Sequence, residues 1–314
     1  MLTLVLAIVL TETPPPRAVG ELLELTTPTG TLRGTLDLPA GNGPWPVVLL
    51  HAGSGPTDRD GNGPLTQNNA LKFLGRAVAA KGVAVLRIDK RGVAGSAKAL
   101  AKEEDARLEV YAADVTAWVA LLRTDSRFTK VAIAGHSEGS LICLIAAKEA
   151  KPDAVVSLCG PGRPLQDVLR EQLTARLPKE LLESSETILA SLEAGKAVAA
   201  VPAPLAALFR PSVQPFLIAA FKHDPPKLLA AYPGPVLVVS GTTDIQVSVA
   251  DGDKLAAGKI GVKHAVLKDM NHVLKVVPKT DLPSQLPTYR DATIPLHPQL
   301  AGEVAGFLLN ALGK

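Results

Sequence analysis

The stretch Gly135-His136-Ser137-Glu138-Gly139 constrains this chain more than any other, because it follows the apolar run Val131-Ala132-Ile133-Ala134 and precedes the helical pattern Ser140–Lys148. It is a G-x-S-x-G sequence in a strand–turn–helix setting. A strand that reverses sharply into a helix forces strained backbone angles on its central residue, and side chains at the flanking positions collide with strand or helix. Glycine at both ends relieves that collision. The turn lifts the Ser137 hydroxyl out of the sheet and aims the first amides of the following helix, that of Glu138 foremost, at the same space. The competing reading of Ser137 is an ordinary helix-capping serine after a strand.

The strands around this turn are apolar enough to be buried on both faces. Pro46-Val47-Val48-Leu49-Leu50, Val83–Ile88, Ala154–Leu158 and Pro235–Ser240 are continuous runs of that kind, and amphipathic helical spacing separates the first three from one another over 68–80 and from Leu108 to Leu122. Such alternation predicts right-handed crossovers and a mostly parallel sheet with its functional loops at the carboxyl ends of the strands. Short β-prone runs at Glu21–Leu25 and Thr31–Leu38, joined by Thr27-Pro28-Thr29-Gly30, predict an N-terminal hairpin. From 164 to 232 the strands cease and helical stretches over 163–177, 181–194 and 213–221 alternate with prolines, the pattern of an inserted helical cap. The expected division is therefore a core of 20–163 and 233–314 with a cap insertion at 164–232. The tract 275–298 is rich in proline and polar residues, and 299–312 reads as the last helix.

With 314 residues, 47% of them hydrophobic, the chain has the means to bury a large core. Its 33 basic and 30 acidic residues are scattered, without the Lys/Arg block of a nucleic-acid surface, so a small molecule is the expected partner. The sequence leaves the oligomeric state open. Leu2–Leu10 has the length of a signal-peptide apolar core and is too short to span a bilayer, and Pro14-Pro15-Pro16 follows it like a linker. Residues 1–19 are thus read as a signal and linker segment of an exported protein, with a first core strand in a cytoplasmic protein as the alternative. Cys143 and Cys159 lack metal-ligand spacing and read as small buried apolar residues, with a disulfide between them left open.

Ser137 acquires partners downstream. Asp244, in Gly241-Thr242-Thr243-Asp244, and His272, in Lys268-Asp269-Met270-Asn271-His272, each occupy a loop directly after an expected strand. Nucleophile, acid and base then run in the order Ser, Asp, His. A serine hydroxyl needs a neutral imidazole to take its proton during attack, and the imidazole needs a carboxylate to fix its tautomer and stabilise its cation. The rival acids Asp251 and Asp253 fall in the next helical stretch, and the rival base His264 begins a strand rather than following one. Donors for an oxyanion are expected from the Glu138 amide and from the loop His51-Ala52-Gly53-Ser54-Gly55-Pro56, at the amide of Gly53 with Ser54 adjacent. His51 reads as a residue packing that loop. Asp58-Arg59-Asp60-Gly61-Asn62-Gly63 fails the spacing of a calcium loop and reads as a turn held by Arg59, while Asp89 and Arg91 read as charges bracing a loop near the site.

Together the Ser137 turn, the block from Leu50 to Asn62, Ile88-Asp89-Lys90-Arg91-Gly92, Gly241–Asp244 and Met270-Asn271-His272 resemble bacterial α/β-hydrolase-fold serine esterases of the EstD type. The resemblance covers the chain from about residue 20 onward. It implies an α/β-hydrolase fold and a carboxylesterase acting on short or medium acyl esters, with no metal or organic cofactor. The loop here reads His-Ala-Gly where many hydrolases have His-Gly. Two alternatives accompany this expectation: a peptidase or amidase of the prolyl-oligopeptidase-like branch, and a non-catalytic binding protein of the same fold.

Overall fold

A computed structural model describes residues 20–313. The segment read as an export signal, 1–19, lies outside the described residues. The chain opens with an antiparallel hairpin of β1 (Glu21–Thr27) and β2 (Gly30–Asp37), its register pairing Thr27 with Gly30. It continues through β3 (Trp45–His51), α1 (Ala70–Ala79), β4 (Ala84–Ile88), α2 (Leu108–Thr124), β5 (Phe128–His136), α3 (Glu138–Ala150) and β6 (Val155–Leu158). Between β6 and β7 (Val236–Gly241) come only helices: α4 (Leu165–Arg176), α5 (Lys179–Glu193), α6 (Ala206–Phe209), α7 (Gln214–Ala220) and α8 (Pro225–Ala231), with a short 3-10 turn before α6. Helix α9 (Val249–Ala257), β8 (Lys263–Leu267), α10 (Leu282–Arg290) and α11 (Leu300–Leu312) complete it.

The eight strands form one sheet in the order β1-β2-β4-β3-β5-β6-β7-β8. The hairpin joins the rest through an antiparallel β2–β4 pairing, and every pairing from β4 to β8 is parallel. Parallel strands need helical crossovers that cover both faces, which is why their sequences are apolar throughout rather than alternating. One face, with Leu49, Leu86 and Ile133, packs against α2, α3 and the helices that follow β6. The other, with Val48, Leu50, Val85 and Ala134, packs against α1 and α11. Cys143 and Cys159 are buried and unpaired, which closes the disulfide alternative.

The chain leaves β3 toward β4 on one side and returns through α2 to β5 on the other. The crevice of an open parallel sheet lies at such a reversal, outside the carboxyl ends of the strands. His51, His136, Leu158, Gly241 and Leu267 end their strands on that same edge.

Within the proline-rich tract 275–298 the chain forms α10. Asp281 caps the helix by accepting from the Ser284 amide, and Pro283 stands in the first turn, where its missing N–H costs nothing. Helix α8 begins the same way behind Asp224, with proline at its start.

Beneath the hairpin, Arg87 is 2% exposed and its Nε donates to Asp37 Oδ2 at 2.7 Å, with a second contact to Asp60. Removing one member of a buried pair leaves the other charge uncompensated. Arg87→Met therefore lowers the free energy of unfolding by about 3–5 kcal/mol, read as a fall in the urea midpoint. Lys130→Met, which breaks the half-exposed pair with Asp153, lowers it by about 1 kcal/mol or less.

Candidate active site

Ser137 sits at φ 55° and ψ −124°, in the left-handed half of conformational space that a residue with a Cβ avoids. Its amide donates to the Leu158 carbonyl at 2.9 Å, and its carbonyl accepts from Ser140 at 2.9 Å. The two glycines of the turn are required by contact. A Cβ on Gly135 would stand 2.1 Å from the Gly139 carbonyl oxygen, and one on Gly139 would stand 2.5 Å from that of Ala52. Strand, turn and helix thus approach at backbone distance.

His272 follows β8 and is joined to Asp244, in the loop after β7. Its Nδ1 lies 2.8 Å from Asp244 Oδ2, and the two side chains are 5% and 0% exposed. The other oxygen of Asp244 accepts from the amides of Gln246 at 2.8 Å and Val247 at 2.9 Å. With Nδ1–H donating to the carboxylate, Nε2 carries the lone pair, the tautomer that accepts a proton. Asp251 and Asp253, the rival acids, are engaged elsewhere. Asp251 takes a bidentate pair with Arg163 at 2.7 and 2.8 Å, and Asp253 meets His264 Nδ1 at 3.2 Å. His264 in turn reaches Ser240 at 3.0 Å, away from Ser137.

His136 links the serine turn to the histidine loop. Its Nε2–H donates to the His272 carbonyl at 2.8 Å, and the two rings lie 4.9 Å apart by centroid. No hydrogen bond joins the Ser137 hydroxyl to His272 among the described residues; without substrate such bonds are commonly long. Burial, with the neighbouring His272 adding to it, pulls the His136 pKa down to about 4, so the ring stays neutral at ordinary pH. His51 is 1% exposed with its Nδ1 at 2.8 Å from the Ala52 carbonyl, and burial lowers its pKa to about 3. Its placement fits a residue packing the loop.

Histidine and cysteine come together at one point: the ligand-type atoms of His136, Cys159 and His272 lie within 4.8 Å of one another. Each is already committed. His272 faces Asp244 and His136 the His272 carbonyl, while burial, followed by the charge of and a hydrogen bond to Asp244, raises the Cys159 thiol well above its ordinary range. A protonated thiol is a poor metal ligand. The donor set fits hydrogen-bonded support of the Asp244–His272 pair.

The amides of Gly53, Ser54 and Glu138 have no acceptor among the described residues. Gly53 packs so closely that a Cβ there would stand 3.1 Å from that of Ser137. Beside Ser54 and Glu138 opens a cavity of about 520 Å³. Tyr111, Val93 and Leu100 line it together with Leu208, Val213 and Phe216 from the segment between β6 and β7, Tyr111 and Phe216 meeting edge to face at 6.0 Å; Ser137 and His272 themselves lie outside its lining.

Several supports lay outside the sequence reading. Gln285, on α10, donates to the carbonyl of Thr243 at 3.2 Å and accepts from Asn271 Nδ2 at 3.1 Å, so one side chain holds the loops of both Asp244 and His272. Helix α4 reaches the same acid loop, Gln172 donating to the Gln246 carbonyl at 2.9 Å and Arg176 to that of Ile245 at 3.2 Å. Lys90, passed over between Asp89 and Arg91, turns inward and donates to the carbonyls of Gly53 and Gly55. Its neighbours, buried as well, take charged partners: Asp89 accepts from Arg59, and Arg91 donates to Asp114. Within the 58–63 turn, Asp58 Oδ1 accepts from the amides of Asp60 and Asn62, both at 2.8 Å, and Arg59 reaches Asp89 and Thr35.

Comparison with known proteins agrees with this architecture. An esterase of Thermotoga maritima, Esterase EstD, is 30% identical over 250 residues, covering 77% of this chain and 58% of its own; this chain therefore spans little more than half of that relative. Est1E of Butyrivibrio proteoclasticus, solved with ferulic acid bound, superposes with a TM-score of 0.62 at 18% identity, over 93% of this chain and all of its own. The Pyrococcus furiosus esterase Pf2001 does so with a TM-score of 0.56 at 15% identity, over 94% of this chain and 92% of its own. At such identities the two structures speak to fold alone. The model of the alpha/beta hydrolase family matches residues 47–279, and the chain belongs to that family.

Proposed function

We propose that this protein is a serine carboxylesterase that hydrolyses short- to medium-chain acyl esters. The observation that carries the reading is the buried Asp244–His272 pair at 2.8 Å, set beside a serine held at positive φ. The relative named an esterase supports it.

In the proposed reaction the Ser137 hydroxyl oxygen attacks the ester carbonyl carbon while His272 Nε2 takes the hydroxyl proton. The carbonyl oxygen gains negative charge and is met by the amides of Gly53 and Glu138, dipoles already fixed before the reaction begins. Collapse of the tetrahedral adduct breaks the bond to the alcohol oxygen, which leaves with the proton from His272. Water then repeats the sequence on the acyl-enzyme, losing its proton to His272 and freeing the acid and Ser137. Asp244 stays ionised and stabilises the imidazolium at each stage.

On this reading the helices between β6 and β7 act as a cap whose apolar side chains close the cavity over the acyl chain. Each methylene transferred from water contributes about 0.8 kcal/mol, a factor of about four in kcat/KM until the space is filled.

Ser137→Ala is expected to lower kcat on p-nitrophenyl butyrate by about 10⁴-fold or more with an unchanged circular dichroism spectrum. Retained turnover would refute the assignment. Asp244→Asn removes the charge that orients His272 and lowers kcat by about 10⁴-fold, with KM nearly unchanged. Across a series from acetate to decanoate, kcat/KM rises and then falls, and Leu208→Trp, which narrows the cavity, moves the maximum to a shorter chain. A flat series in both proteins would contradict acyl binding there.

A further inference from the structure

Lys90 lies just past the end of β4 and is only 4% exposed. Its ammonium nitrogen donates to the carbonyl of Gly53 and, at 2.6 Å, to that of Gly55. A buried ammonium costs several kcal/mol of lost hydration, which only well-placed acceptors offset. Here those acceptors are backbone carbonyls 37 and 35 residues away, both in the loop beside Ser137. The nearby charge that favours the ammonium is the Glu138 carboxylate, and Lys90 and Glu138 line the same cavity.

The direction of those bonds matters more than their strength. In a trans peptide the C=O and N–H point opposite ways, so fixing the Gly53 carbonyl on Lys90 turns the Ser54 amide of that peptide group away from Lys90. The Gly53 amide belongs to the preceding peptide group, whose Ala52 carbonyl lies 2.8 Å from His51 Nδ1. The second bond pins the Gly55 carbonyl, next to Pro56, which has no amide to offer. A loop reading Gly-Ser-Gly resists rotation poorly by itself, and a flipped peptide would present a carbonyl where a donor is needed.

We propose that Lys90 is a positioning residue that holds the Gly53–Gly55 loop with its amide donors turned toward the oxyanion formed at Ser137. The proposal rests on the esterase reading. The charged and titratable groups facing Lys90 are Glu138 at the start of α3, His51 at the end of β3 and His136 at the end of β5. Both histidines are held neutral by burial, to which the charge of Lys90 adds. Burial lowers the Lys90 pKa to about 8, against the pull of Glu138. Above that pH the bonds to the loop lose their charge assistance, roughly half their strength.

The test compares wild type, Lys90→Met and Lys90→Arg in steady-state turnover of p-nitrophenyl butyrate and in affinity for an alkyl trifluoromethyl ketone. The ketone adds to the serine and places a hemiketal oxyanion against the same amides. Lys90→Met is expected to lower kcat by about 10- to 100-fold with KM within about threefold, and to weaken the ketone by the same factor as kcat. Lys90→Arg recovers part of kcat and keeps its alkaline plateau where that of wild type declines above about pH 8. A Lys90→Met protein with kcat and ketone affinity within twofold of wild type overturns the proposal, as does a loss confined to melting temperature. Should Lys90→Met fail to fold, an alkaline decline that persists unchanged in Lys90→Arg overturns it equally. An inactive wild type that does not bind the ketone refutes the esterase reading itself, whereas an active wild type indifferent to Lys90 refutes only its positioning role.

Discussion

Everything at the carboxyl edge of the sheet depends on the backbone of Ser137, held at φ 55° between a strand and a helix. Such a conformation costs of order 1–3 kcal/mol and persists only where its surroundings leave no alternative. Strand β5 is fixed on both sides, by β3 in a register that reaches Gly135 and by β6 in one that reaches His136. Helix α3 starts at once after the turn and is buried along its length, so strand and helix together dictate the bend. The glycines at 135 and 139 let the two approach; nothing larger fits between backbone atoms that close. The strain is thus supported by the parallel core, and the half-buried Ser137 with the free amides beside it follows from that support.

The same economy governs the polar groups. Asp244 and His272 are almost wholly buried, and both oxygens of the Asp244 carboxylate meet donors, one from His272 and the other from the amides of Gln246 and Val247. Around them the supports come from distant parts of the chain. Gln285 ties the loops of Asp244 and His272, Gln172 ties the first of these to α4, and Lys90 ties the Gly53 loop to the end of β4. Their common effect is rigidity: three loops that would each be mobile alone are cross-braced into one constellation. Preorganised dipoles stabilise developing charge because they need not reorient when it appears.

What the sequence displayed plainly was local. Continuous apolar runs marked β3, β5 and β7, and period-3.6 spacing marked α1, α2 and α11, because burial on two faces or on one stripe leaves an imprint within a few residues. The proposed triplet of Ser137, Asp244 and His272 was legible for a similar reason, each member following a strand end. Helix α8 carries no clear sign because Pro225 and Pro226 look like interruptions, and α10 lies in a tract marked only by its prolines and polar residues, whereas behind the capping residues Asp224 and Asp281 proline suits a helix start. Lys90, His136, Cys159 and Gln285 carried no local sign of their roles. Lys90 sits amid Asp89 and Arg91, all three buried, and differs from them in that its hydrogen-bond partners are backbone carbonyls of a distant loop rather than an opposite charge, which the sequence does not reveal.

The central claim is that one serine among all those in the chain is activated by an imidazole. An alkyl fluorophosphonate reacts only with such a serine, and peptide mass spectrometry locates the adduct. The account predicts stoichiometric labelling of Ser137 in the folded wild type and loss of that labelling in His272→Ala. An adduct at another residue, or an unlabelled Ser137 in folded protein, would contradict it.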